Sequence, residues 1–147
     1  MENAQIADLL DEIADLLELQ DANEFRIRSY RSASRTIRDL SRRVEDVVED
    51  EEDLDELPNI GESTAGKLRE IVRTGTCERL ENLRKEVPEG LSEVMRVEGM
   101  GPKKAMALHR ELDVKSLDDL KKAAEDGKVR DVEGFGDQDD AAAYVED

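Results

Sequence analysis

The chain has 147 residues, enough for one ordinary domain or two small ones, and its 39 acids against 22 bases give a formal net charge of -17. A single cysteine, Cys77, excludes an internal disulfide and a multi-cysteine metal site, and a single histidine, His109, excludes a histidine-based triad or zinc cluster. No apolar run approaches membrane-spanning length and no signal peptide precedes Ile6, so a cytoplasmic protein with no membrane partner is expected.

A nucleic-acid binder is ordinarily basic, so the bulk charge argues against DNA. The acid instead fits a surface solvated for concentrated salt, which implies a halophilic source.

Residues 3–20 carry Ile6, Leu9, Leu10, Ile13, Leu16 and Leu17, the spacing of one apolar helix face. Residues 23–43 reverse the charge. On a helix there, Ile27, Tyr30, Ala33, Ile37 and Leu40 share one face, while Arg28, Arg31, Arg35, Arg38 and Arg42 recur on the other. Like charges at this spacing repel, so the stripe points to an anionic partner; pairing with the acids at 45–56 is the alternative. Those residues hold nine acids and read as a short helix and a solvated loop.

Leu57-Pro-Asn-Ile-Gly-Glu-Ser-Thr-Ala-Gly-Lys-Leu68 and Val97-Glu-Gly-Met-Gly-Pro-Lys-Lys-Ala-Met-Ala-Leu108 share one pattern. An apolar residue enters a tight turn, the turn ends in Gly61 or Gly101, and a helix starts with an Ala and a Leu on its inner face. This is the helix-hairpin-helix pattern. Unpaired N–H groups at such a helix start, backed by the helix dipole, suit a phosphate oxygen. Gly99 and Gly101, without a Cβ, let a nucleic-acid backbone come close. The helix after the first turn ends at Thr74-Gly75, a further helix holds Leu80 and Leu83, and Pro102 starts the helix after the second turn. Ser116 with Asp119 reads as a capping box. Val132-Glu-Gly-Phe-Gly-Asp137 is a third, weaker copy of the turn. The three final glycines, Gly61, Gly101 and Gly136, lie 40 and 35 residues apart, so the unit recurs. No stretch alternates with period two, so no sheet is expected.

From about Ala22 to Gly136 the chain resembles the N-terminal region of family X DNA polymerases. The resemblance is carried by Phe-Arg-Ile-Arg-Ser-Tyr-Arg-Ser-Ala-Ser at 25–34, Leu-Pro-Asn-Ile-Gly at 57–61, Arg-Thr-Gly-Thr at 73–76, Val-Glu-Gly-Met-Gly-Pro-Lys-Lys-Ala at 97–105 and Asp-Val-Lys-Ser-Leu-Asp-Asp-Leu at 113–120. It implies an all-α fold, a small helical bundle with tandem helix-hairpin-helix motifs of the SAM-like, polymerase-beta N-terminal type. The implied domains are a lyase-like domain over 1–86, a second hairpin subdomain over 87–136 with a degenerate third hairpin, and an acidic tail over 137–147. The palm with its metal-binding aspartates would come later, so polymerase activity is not expected from these residues.

The resemblance also implies site residues. Arg26, Arg28, Tyr30, Arg31, Arg35, Arg38, Gly61, Ser63 and Arg79 would hold one segment of DNA backbone. Gly99, Gly101, Lys103 and Lys104 would hold another. Lys67 falls where the family has its lyase nucleophile, an amine that forms a Schiff base with an abasic sugar and promotes β-elimination of the 3′ phosphate. The amine reacts in its neutral form, which a nearby cation such as Arg31 or Arg79 favours. Phe25 and Ser63 replace a His and a Lys of the vertebrate enzyme, which thins the 5′-phosphate pocket. The carbonyls of Asp55, Leu57 and Ile60, and of Met95, Val97 and Met100, would hold K+ or Na+; no other cofactor is required.

Three readings follow. The first is a monomeric module that grips nicked, gapped or duplex DNA without sequence specificity, alone or beside a polymerase or repair partner. The second is a 5′-deoxyribose-phosphate or abasic-site lyase using Lys67. The third is a protein-interaction module that has lost DNA.

Overall fold

A computed structural model describes residues 1–20 and 22–129. The third hairpin copy and the acidic tail lie outside the described residues. The chain divides into two compact units, Met1–Lys85 and one that begins at Glu86. Every regular element among the described residues is a helix.

The first unit is founded on α1 (Asn3–Leu19) and α2 (Glu24–Asp39). In α1, Ile6, Leu10, Ile13 and Leu17 are fully buried, the face that their spacing predicts. Small residues sit where the two helices meet: Ala7, Ala14, Ala33 and Ser34 are all buried, and the Ser34 hydroxyl donates to the Ala7 carbonyl at 3.2 Å. Asn23 caps α2, its side-chain oxygen accepting from the Phe25 N–H at 2.7 Å.

Here the structure departs from the expected helix over 23–43. The helix α2 stops at Asp39, with Leu40 extended. The physical reason is Asn3: its amide donates to the Arg42 carbonyl at 2.7 Å and its oxygen accepts from the Val44 N–H at 2.9 Å. That grip folds the chain back onto α1 and starts α3 (Val44–Glu49). Arg42 therefore leaves the helical stripe and pairs with Glu52 at 2.7 Å and Asp50 at 3.5 Å.

A 3-10 turn (Leu54–Glu56) and the segment 57–61 then lead into α4 (Glu62–Thr74), which buries Ala65, Leu68 and Ile71 and ends on Gly75 at φ 84°. The last helix, α5 (Glu78–Glu86), is tied back to α1 by a two-pronged ion pair, Arg84 to Glu12 at 2.6 and 2.8 Å.

The second unit holds α6 (Leu91–Met95), α7 (Gly101–Leu112) and α8 (Leu117–Glu125). Its core is Leu91, Val94, Ala105, Leu108, Val114, Leu120 and Val129. The Ser116 hydroxyl accepts from the Asp119 N–H at 3.1 Å, as a capping box requires. The return bond goes one residue early: Asp119 accepts from Lys115 rather than Ser116. No described helix is long and apolar enough to cross a membrane.

Candidate nucleic-acid interface

Each hairpin turn presents amides that find no acceptor among the described residues. In the first turn, Leu57 O accepts from Ile60 N, and the next backbone bond is Ala65 N to Gly61 O at 2.8 Å. The N–H groups of Gly61, Glu62, Ser63 and Thr64 therefore find no acceptor among the described residues, and Gly61 supplies no side-chain cap. In the second turn, Met100 N bonds Val97 O at 2.9 Å, Pro102 has no N–H, and the N–H groups of Gly101 and Lys103 find no acceptor among the described residues. Such donors at the mouth of a helix of 12 or 13 residues suit an anion's oxygens.

The two turns are built differently. In the second, Gly99 and Gly101 both take the left-handed region, at φ 82° and 74°. In the first, that region falls on Asn59, at φ 64°, while Gly61 is extended at φ -88°. Asn is one of the few side chains that tolerate the left-handed region. Its amide also donates to the Thr36 hydroxyl at 3.2 Å, which pins the turn to α2. Asn59 is a positioning residue that the motif pattern passed over. The Asn between Pro58 and Ile60 was its visible signal.

Gly61 has no need within the chain to be glycine. Its φ suits any residue, and a Cβ built on it would meet nothing within 4 Å. The space in front of the first turn is open to a ligand.

The arginines of α2 sort into two groups, which corrects the reading of one stripe facing an anionic partner. Arg31 lies against α1, bonded to Asp15 at 2.6 Å and Glu18 at 3.0 Å, with Asp11 at 3.6 Å. Burial lowers its pKa, but the Asp15 and Glu18 bonds outweigh burial and hold it above the ordinary value. Arg38 is bound by Asp8 at 2.6 Å and Asp11 at 3.0 Å, which likewise raise its pKa. These two guanidiniums are neutralised by carboxylates of α1, not by the acids at 45–56. Arg31 is thereby also withdrawn as the cation that would favour a neutral Lys67. Arg28 and Arg35 stay on the outer surface: Arg28 meets Glu24 at 3.4 Å and lies 5.9 Å from the Phe25 ring centroid, and the Arg35 guanidinium reaches, among the described residues, only Ser32.

Three of the expected lyase-site residues do come together. The half-buried Lys67 donates to the Ser63 hydroxyl at 2.9 Å, and its ammonium sits 5.9 Å from the centre of the Tyr30 ring. The guanidiniums of Arg26 and Arg79 carry no ion pair or hydrogen bond among the described residues and remain available to an anion.

The carbonyls expected to hold a cation have mixed commitments. Leu57 O and Val97 O each accept one turn bond, while Asp55 O, Ile60 O and Met100 O accept none of the turn bonds. Lone pairs thus remain at both turns. Among the described residues no cluster of His, Cys, Asp and Glu could hold a metal ion.

Against known proteins, residues 1–77 match a helix-hairpin-helix domain family and residues 91–139 match the SAM-like helix-hairpin-helix tandem family. The chain is 35% identical over 136 residues to the DNA polymerase/3'-5' exonuclease PolX of Bacillus subtilis (strain 168). That stretch is 92% of this chain but 23% of the bacterial protein, so the chain spans about a quarter of that relative's length.

Proposed function

Because the chain belongs to the helix-hairpin-helix domain family and matches part of a family X polymerase, we propose that it holds the sugar–phosphate backbone of nicked, gapped or duplex DNA without reading sequence. The single observation that carries this reading is the pair of turns with unused amides, Gly61–Thr64 in one unit and Gly101 and Lys103 in the other. Lys103 and Lys104 add charge at the second turn. Arg26 and Arg79 add it in the first unit. Backbone contacts of this kind position a protein on DNA and carry no base information.

Amide contacts also reconcile the site with a net charge of -17. A long-range field that repels DNA is screened as salt rises, while short-range N–H bonds at a turn are not. A K+ or Na+ ion held by the free turn carbonyls would bridge to a phosphate in the same short-range way.

A second reading is favoured by one specific contact set. Lys67, held by Ser63 beside the Tyr30 ring, can attack the aldehyde of an open-chain abasic sugar and form an imine with loss of water. Loss of the C2′ proton then expels the 3′ phosphate. Ser63 and Tyr30 would fix the amine, and Arg26 and Arg79 would take the 5′-phosphate.

One experiment tests both. A one-nucleotide-gapped duplex bearing a 5′-deoxyribose-phosphate is titrated with the protein at several KCl concentrations, with borohydride in half the samples. Binding without a covalent adduct leaves the backbone-holding module alone. Binding with an adduct that Lys67→Ala abolishes adds the lyase. No binding at any salt overturns both and leaves a protein-interaction module.

A further inference from the structure

The outer face of α4 carries three features that cost the protein stability and that its own fold does not use. Gly66 stands in the helix interior and is exposed, and a Cβ there would meet nothing within 4 Å. Alanine would serve the helix better, since glycine surrenders more backbone entropy. Arg69 and Arg73 follow at one-turn spacing, which sets two like charges side by side. Neither guanidinium has an ion pair or hydrogen bond among the described residues, although Arg69 is half-buried. Arg69 and Arg73 thus join Arg26, Arg35 and Arg79 as arginines that none of the carboxylates among the described residues pairs.

Positions 66, 69 and 73 share one side of the helix, away from the buried Ala65, Leu68 and Ile71. That side continues from the unused amides at the helix start. At the helical rise, Arg69 lies about 12 Å and Arg73 about 18 Å along the axis from Gly61. The bare surface at Gly66, about 7.5 Å along, falls between Gly61 and Arg69.

We infer that this face of α4 is a track for a phosphodiester strand. The strand is anchored at the Gly61–Thr64 amides, passes flush over Gly66, and is held further on by the Arg69 and Arg73 guanidiniums. The inference rests on the backbone-binding reading above and lengthens its footprint by two phosphate contacts. Arginine suits each contact, because its planar fork can bond two phosphate oxygens at once. Glu62 stands on the same side one turn before Gly66. Its carboxylate opposes the strand, and its place in the first turn is accounted for by the helix dipole.

The test is a salt titration of duplex binding by the full chain, read by fluorescence anisotropy, with thermal unfolding run alongside. Arg69→Gln/Arg73→Gln should lower the slope of log affinity against log salt by about 1.8, two contacts at about 0.9 each. Gly66→Leu should raise the unfolding temperature yet weaken binding, because its side chain stands in the path of the strand. Glu62→Gln should tighten binding. Wild-type slope in the double variant, together with wild-type affinity in Gly66→Leu, overturns the track while leaving the turn amides as the binding site. Failure of the unaltered protein to bind duplex at any salt overturns the track and the reading beneath it together.

Discussion

Arg31 reaches from α2 to place its Nη2 2.6 Å from Oδ1 of Asp15, whose side chain the α1–α2 interface leaves only 6% exposed. A charge that deep requires its partner. Removing one member of a buried pair leaves the other desolvated, which costs far more than the pair itself contributes. Arg31→Ala is therefore expected to destabilise the first unit by about 3 kcal/mol. Arg31→Met/Asp15→Leu should recover most of that, since apolar packing can replace an ion pair. Urea unfolding of the two variants checks this. Equal loss in both would mean that the geometry of the pair, and not the buried charge left on Asp15, sets the cost.

The two turn glycines should respond differently to the same substitution. Gly101 sits at φ 74°, where a Cβ is strained, so Gly101→Ala should cost about 1–2 kcal/mol of stability as well as binding. Gly61 sits at φ -88° with open space before it, so Gly61→Ala should cost only the change of N-cap residue, about 0.5–1 kcal/mol of stability. Its methyl group would instead stand where a phosphate approaches the turn, and DNA affinity should fall. A Gly61→Ala protein with unchanged affinity would show that no ligand comes close to this turn.

Much of this was visible in the sequence, for reasons tied to particular residues. The apolar spacing of Ile6, Leu10, Ile13 and Leu17 fixed the buried face of α1, because 3.6 residues per turn leaves few other arrangements. Thr74-Gly75 marked the end of α4, because only the left-handed conformation closes a helix there. The fate of the arginines was hidden. Periodicity shows that Arg31 and Arg38 share a helix side, but not that Asp8, Asp11, Asp15 and Glu18 of another helix stand opposite. The end of α2 was hidden for a similar reason. It is set by Asn3, which lies 39 residues from the Arg42 carbonyl it holds. Helical pattern carries local information, and these contacts are not local.

Cys77 is buried just before α5, and burial pushes its thiol above the usual range, although the Leu80 and Arg79 N–H groups pull the other way. A raised thiol favours the protonated form in the folded state. That part of the stability is complete below the ordinary thiol value of about 8.5 and declines as pH rises through the raised folded value. Stability measured from pH 7 to pH 10 should thus fall more steeply in the unaltered protein than in Cys77→Ser. Alkylation of Cys77 at pH 8 should also be slow in the folded protein and fast in urea. Rapid alkylation of the native chain would contradict the buried placement.

Lys103 and Lys104 lie in the first turn of α7, the helix whose start offers the Gly101 and Lys103 amides. Their charges can neutralise phosphates but have no base edge to read, so their loss should weaken every sequence alike. Each phosphate contact contributes about 0.9 to the salt slope, so Lys103→Gln/Lys104→Gln should reduce it by about 1.8. Lys104 also donates to Gly99 O at 3.4 Å, a long bond that contributes little to holding the turn. Duplexes of differing sequence, titrated in KCl with this variant, separate charge from amides. A reduced slope with residual binding at high salt is expected, because the turn amides remain. Complete loss of binding at every salt would place the whole affinity in the two lysines, and the unused amides would then carry none of it.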